Sequence, residues 1–220
     1  MRTLLEVDNV SVSFDGFKAV DNLSFTIGYN ELQAIIGPNG AGKTTFMDII
    51  TGQTKPDRGN ILWGEKSTDL NKKNETEIAL LGIGRKFQKP TVFENKSLIE
   101  NLILSQKKNR NPFNVLFQRN SEHEINSIIK ILKDINLFNI KEKRAGEISH
   151  GQKQWLEIGM LLTQNPKLLL VDEPAAGMTP NERNQTVQIL KKLSKSSSII
   201  VVEHDMEFVR NLNCRVTVLN

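Results

Sequence analysis

Gly37-Pro38-Asn39-Gly40-Ala41-Gly42-Lys43-Thr44 has the spacing G-x-x-x-x-G-K-T. Glycines at these positions let the backbone wrap tightly enough to turn successive N–H groups toward phosphate oxygens. The Lys43 ammonium can reach the outer phosphates, and the Thr44 hydroxyl can ligate a magnesium ion. The flanks agree with this reading. Leu32-Gln33-Ala34-Ile35-Ile36 is a buried-strand pattern that feeds the loop, and Thr45-Phe46-Met47-Asp48-Ile49-Ile50 opens a helix whose positive N-terminus favours an anion. The expectation is a nucleoside triphosphate with Mg²⁺ bound at Gly37–Thr44 and Thr45.

Outward from the loop, bulk properties limit the alternatives. A chain of 220 residues can bury one substantial core, or one core with an appended lobe. The formal charge of +4 and pI near 9.1 allow an acidic ligand such as a nucleotide without arguing for nucleic acid. The single cysteine, Cys214, excludes an internal disulfide framework and reads as a small buried hydrophobe. The first residues lack an apolar stretch of signal-peptide length, and no apolar run approaches the roughly 20 residues a bilayer requires. Any membrane role is therefore expected to go through a partner.

Before the loop, Leu5 to Phe14 alternates apolar and polar as a half-buried strand does, Asp15-Gly16 can turn the chain, and Phe17 to Ile27 supplies further strand material. Phe14, near this turn, could be core or could stack on a base. After the loop, Asn60 to Gly64 reads as a short strand, Glu75 to Leu81 as one or two helical turns, and Arg85-Lys86-Phe87-Gln88 as a strand ending at the edge of the site. Gly82-Ile83-Gly84 is not a dinucleotide fingerprint, because Phe87 stands where its third glycine belongs. Residues 89–147 change character: Ile125, Ile128, Ile129, Leu132 and Ile135 form an apolar stripe at helical spacing. They read as a helical subdomain inserted into a nucleotide-binding core of residues 1–88 and 148–220. Within it, Lys107 to Pro112 is a basic loop, either a solvated linker or a contact for acidic groups.

Ser149-His150-Gly151-Gln152 opens another helix with Ser149 as N-cap, stopped at Asn165-Pro166. Leu168-Leu169-Leu170-Val171 is an apolar run that ends in Asp172-Glu173, the pattern of a parallel strand covered on both faces. Ligands gather at the C-terminal ends of such strands. Asp172 can hold Mg²⁺ opposite Thr44, and Glu173, facing elsewhere by strand alternation, is left to orient and partly deprotonate a water. Pro180 to Leu193 reads as a helix, Ile199 to Val202 as a second buried strand, and His204 follows its end.

The ordered set of phosphate loop, Gln88, Ser149–Gln152, Leu168–Glu173 and His204 resembles the ATP-binding subunit of ABC transporters over essentially the whole chain. The fold this implies is an α/β P-loop core with an N-terminal antiparallel β subdomain and an inserted helical subdomain. Gly84 to Asn95, Ser149 to Met160 and Val202 to Val209 resemble the branched-chain amino-acid and urea importer group, most closely its urea-importer ATPase subunit because of the Trp-bearing signature helix. Branched-chain amino-acid import is the alternative. A truncated non-hydrolytic subunit is a reading from another class.

The resemblance implies ATP and Mg²⁺ as ligands, and it implies a set of roles. Phe14 stacks on adenine. Gly37, Pro38, Asn39, Gly40, Ala41, Gly42, Lys43, Thr44 and Thr45 bind ATP, with Thr44, Gln88 and Asp172 at the metal and Glu173, His204 and Gln88 in catalysis. Ser149, His150, Gly151 and Gln152 close on ATP held by another ATPase subunit, in a heterodimer or a homodimer. Further partners are two transmembrane permeases and, indirectly, a solute-binding protein, at the cytoplasmic face of the membrane, with no nucleic acid. Two points depart from the family pattern near the site: His150 stands where many relatives have Gly, and Thr179 replaces a common Asp, leaving an uncharged group to bond across the dimer. The chain also stops at Asn220, where relatives usually continue through another strand and a helix, so an exposed sheet edge is expected there.

Overall fold

The computed structural model describes residues 2–86, 91–106 and 122–220. Gln88 and the basic Lys107–Pro112 segment lie outside the described residues.

Two sheets carry the chain. The first is antiparallel: β1 (Thr3–Phe14) pairs with β2 (Phe17–Gly28) and with β4 (Arg58–Trp63), which pairs with β5 (Thr68–Asp69), in the order β2-β1-β4-β5. Asp15 and Gly16 both take positive φ, which gives the mirror-image two-residue turn that matches strand twist and sets Phe14 opposite Phe17.

The second sheet contains β3 (Leu32–Ile36), β6 (Ile83–Lys86), β7 (Leu168–Asp172), β8 (Ser198–Val202) and β9 (Arg215–Val218), all parallel, in the order β6-β7-β8-β3-β9. β7 and β8 are buried at every position, as their uninterrupted apolar runs predict.

Period-two alternation decides what each face meets. Leu168, Leu170, Ile200 and Val202 point into one apolar cluster with Ile35, with Phe46, Met47, Ile49 and Ile50 of α1 (Lys43–Thr51), and with the inner face of the antiparallel sheet. Phe25 and Phe46 meet edge to face there at 5.1 Å. Leu169, Val171, Ile199 and Val201 point into a second cluster. It is built from α3 (Leu98–Ser105), α4 (Glu122–Asp134), α5 (His150–Leu162), α6 (Pro180–Leu193) and α7 (Met206–Leu212). α2 (Glu75–Leu80) sits on the first side through Ile78.

The expected stripe on α4 holds except at its first member. Ile128, Leu132 and Ile135 are buried as expected and Ile129 is half-buried, whereas Ile125 in the first turn is exposed and Ile131 joins the buried set, with Ile131 and Ile135 lying close to Gly159 of α5. β9 is one of the two edge strands of the parallel sheet, opposite β6, and its Val216 and Val218 are exposed. Among the described residues no helix is long and apolar enough to cross a membrane.

Candidate nucleotide site

The ends of β3, β7 and β8 lie side by side because the strands are parallel neighbours in register: Ile35 is opposite Val202, and Asp172 is opposite Val202 on the other side. Whatever follows each strand is therefore brought to one crevice. Lys43, Thr44, Thr45, Asp172 and Glu173 line a cleft of about 260 Å³ there, together with Asn39, Gly40 and Gly42.

The loop's shape depends on two glycines. Gly42 caps α1 at φ 83, and a Cβ on it would sit 2.5 Å from the Ala19 carbonyl oxygen. A Cβ on Gly37 would collide with the carbonyl oxygen of Leu219. α1 also begins without a side-chain cap, unlike α2, α3, α5 and α6, each of which has a capping box. Its first intrahelical bond is Phe46 N–H to the Gly42 carbonyl, so the N–H groups of Lys43, Thr44 and Thr45 face outward from the helix end. Such a donor set fits a phosphate chain. Lys43 Nζ donates to the carbonyls of Gly37 and Pro38, each at 2.8 Å, which keeps the ammonium on the loop.

Asp172 is buried, and burial pushes its carboxyl above the ordinary aspartate range. The nearby Arg85 guanidinium opposes that shift, and the neighbouring Glu173 charge adds to it. Arg85 is itself fixed by Asp48 of α1, so the cation under the site is tied to the helix that follows the phosphate loop. Among the described residues no group of three His, Cys, Asp or Glu side chains could hold a metal by itself. One carboxylate and one hydroxyl, Asp172 and Thr44, fit an ion that shares its ligands with phosphate and water, the usual habit of Mg²⁺.

Glu173 takes a left-handed backbone, φ 44, with its N–H donating to the Val202 carbonyl at 2.9 Å. His204 Nδ1 lies 3.6 Å from Glu173 Oε1. Two of the three groups expected from sequence to serve catalysis therefore face each other, the third, Gln88, lying outside the described residues. Phe14 is half exposed, which disposes of the core alternative. Its cross-strand neighbour Phe17, more exposed still, lines a neighbouring cavity with Gly40 and Ala41.

Ser149, His150, Gly151 and Gln152 do not line the cleft. Ser149 and Gln152 form a capping box at the start of α5, with Gln152 N–H donating to Ser149 Oγ and Ser149 N–H to Gln152 Oε1. His150 turns back on its own chain, with Nε2 2.9 Å from Gln154 Nε2 and the ring near Gly177. Thr179 donates its hydroxyl to Glu182 of its own chain and accepts from the Glu182 N–H. The hydroxyl expected to reach across a dimer is thus engaged at home, as the cap of α6.

Sequence reasoning missed four charged residues. Lys86 and Glu157 form a buried pair at 3.6 Å between β6 and α5, and Thr91 donates both its N–H and its hydroxyl to Glu157. Glu182 joins α5 to α6, and Glu203 is buried at the end of β8. Two had visible signals: Thr179-x-x-Glu182 is a capping-box pattern, and Glu157 interrupts an apolar run. Trp155, which weighed toward the urea reading, is buried and donates to Thr186 of α6 at 2.8 Å. It packs two helices, and nothing in that role bears on solute identity.

The family model described as ABC transporter matches residues 20–176. The chain is 33% identical to the "Probable branched-chain amino acid transport ATP-binding protein LivG" of Methanocaldococcus jannaschii over 94% of this chain and 82% of that protein. It is 32% identical to the "High-affinity branched-chain amino acid transport ATP-binding protein BraF" of Pseudomonas aeruginosa, over 100% and 89% respectively. The corresponding LivG protein of Escherichia coli K12 is 31% identical, over 99% and 88%. Among solved structures, an ATP-binding cassette of an ABC transporter in its ADP conformation superposes with a TM-score of 0.85 at 30% identity, covering 100% of this chain and 88% of that one. The cbiO1 structure from Clostridium perfringens, described as part of the ABC transporter complex cbiONQ, gives 0.85 at 29% identity, over 100% and 86%.

Proposed function

Because the chain belongs to the ABC transporter family of ATP-binding cassettes, an ATPase family, we propose that it is the ATP-hydrolysing subunit of an importer for branched-chain amino acids. The observation that carries the hydrolytic part is the meeting of Lys43, Thr44, Asp172 and Glu173 in one cleft with His204 against Glu173. The solute rests on the relatives, whose names give branched-chain amino acids, the alternative of the sequence reading, in place of urea.

In this reading the outward N–H groups of the loop and of α1 hold the β- and γ-phosphates, and Lys43 shifts from the loop carbonyls to phosphate oxygens. Thr44 and Asp172 hold Mg²⁺, which when bound neutralises charge on the phosphate oxygens. Glu173 orients the attacking water and takes up its proton, and His204 contacts the γ-phosphate. Phe14 stacks on the base, and Gln88 serves metal and water on the strength of the family resemblance. Ser149, Gly151 and Gln152 act on ATP held by a second cassette, a reading supported by their position outside their own cleft and by the exposure of Ser149. The segment just after Gln88 relays to the permease subunits, again on the strength of the family resemblance.

Glu173→Gln tests the catalytic assignment: ATP binding persists and turnover falls by about 100-fold or more. Unchanged hydrolysis would refute it. Uptake in a strain lacking this chain tests the solute: loss of leucine uptake with urea uptake intact supports the proposal, and the reverse pattern restores the urea reading.

A further inference from the structure

Glu203 is almost wholly buried, 1% exposed, at the point where β8 leaves the sheet. A carboxylate in such a place is costly unless its charge is met by well-aligned donors. Three backbone N–H groups from two loops supply them. Oε1 accepts from Ala175 at 2.8 Å, and Oε2 accepts from His204 at 2.9 Å and from Asp205 at 3.2 Å. The Glu203 N–H in turn donates to the carbonyl of Ile35, two residues before the phosphate loop begins.

One residue thus touches the exits of three strands. The Ala175 bond holds the turn that carries Glu173, whose own N–H is bound to Val202 on the other side of the same turn. That turn contains a non-glycine residue in the left-handed region, a conformation that persists only where its surroundings hold it. The His204 and Asp205 bonds fix the backbone that aims the imidazole, and Asp205 is further set by capping α7 and pairing with Arg183. Both lone-pair faces of one carboxylate are needed, one for each loop.

We propose that Glu203 is the positioning residue of the hydrolytic centre, its buried carboxylate setting Glu173 and His204 as a single unit relative to the phosphate loop. Glu203 does not line the nucleotide cleft and acts on the two loops through their backbone N–H groups, with its Oε2 also 3.9 Å from His204 Nδ1. The inference rests on the reading that Glu173 and His204 work on bound ATP.

Two variants separate this role from bulk structure. Glu203→Gln keeps the shape but offers one acceptor oxygen, and its amide N–H₂ faces a backbone donor, so one loop loses its partner. Glu203→Asp keeps charge and both oxygens but is one methylene too short to reach both loops. With the full chain assembled with its partner subunits, both variants are expected to lower kcat at least tenfold while the Kd for Mg-ATP changes less than threefold. Amide hydrogen exchange should quicken at Ala175, His204 and Asp205 and stay slow in β7 and β8. Either of two results overturns the proposal: kcat within twofold of the parent in both variants, or kcat and ATP affinity falling together with faster exchange throughout β7 and β8. A parent assembly that binds but never hydrolyses ATP would instead overturn the hydrolytic reading on which the proposal stands.

Discussion

Ser149 Oγ lies 2.6 Å from Oε1 of Glu182, and since the carboxylate is the acceptor, the serine proton is directed at it. The same oxygen of Ser149 accepts from the Gln152 N–H. To donate to a phosphate on another chain, Ser149 must therefore let go of Glu182. Glu182 also accepts from the N–H and hydroxyl of Thr179, so one side chain holds the starts of α5 and α6 together.

Replacing Glu182 with Ala removes the acceptor of Ser149 and half of the α6 capping box, at an expected cost of about 1 kcal/mol in chemical denaturation. The hydrogen bond from Ser149, then the Thr179 N–H, holds the Glu182 carboxyl below its ordinary range. A depressed folded value means that this contribution is present above the unfolded carboxylate pKa and is lost as pH falls through the folded one. The stability gap between parent and variant should accordingly close in acid.

Asp172 has the opposite sign. Burial raises its carboxyl, so its contribution to stability is complete below the ordinary aspartate pKa and disappears as pH rises through the raised folded value. At neutral pH the charge is a burden on the nucleotide-free chain. Asp172→Asn should raise the melting temperature of that form at pH 7 and narrow the difference in acid. It should also reduce Mg-dependent ATP hydrolysis by about 100-fold or more. Thermal melts at two pH values and a turnover assay check both halves.

Lys86 and Glu157 are shielded from water, and burial dominates both, lowering the lysine and raising the glutamate. Removing one partner strands the other charge, so Glu157→Leu should cost about 3–5 kcal/mol. Changing both, Lys86→Met with Glu157→Leu, should recover most of that loss. A double-mutant cycle in urea measures the difference, and additive losses would show that the pair is not coupled.

Gly42→Ala forces a Cβ toward the Ala19 carbonyl in a left-handed backbone. The conformation alone costs about 1–2 kcal/mol. Displacement of the loop should abolish ATP binding in a fluorescent-nucleotide titration, even where denaturation shows a folded chain.

The strands and the main loop were legible because each depends on local pattern. Leu168–Asp172 and Ile199–Val202 are apolar without a break, and Gly42 sits where only a glycine fits. The bond of Thr179 to Glu182 was already written in the local capping-box spacing, whereas the exposed Ile125 was not legible, since how closely the first turn of a helix approaches the core is settled by distant packing. Glu203 was hidden for a related reason. Its three donors come from residues 28 positions upstream and from its own two successors, a geometry that exists only once β7 and β8 pair.

The alternation along β7 and β8 has a mechanical consequence. Leu170 and Ile200 belong to the compartment behind the phosphate loop, while Val171 and Val201 belong to the compartment of the helices. The helices therefore meet the strand exits by two routes, through the strands they share with the far compartment and through direct bonds from Gln154 to the Ala176 carbonyl and from Arg183 to Asp205. The sheet is thus a partition with a stitched rim: its two faces serve separate compartments, and the loops just beyond β7 and β8 are where those compartments are tied together.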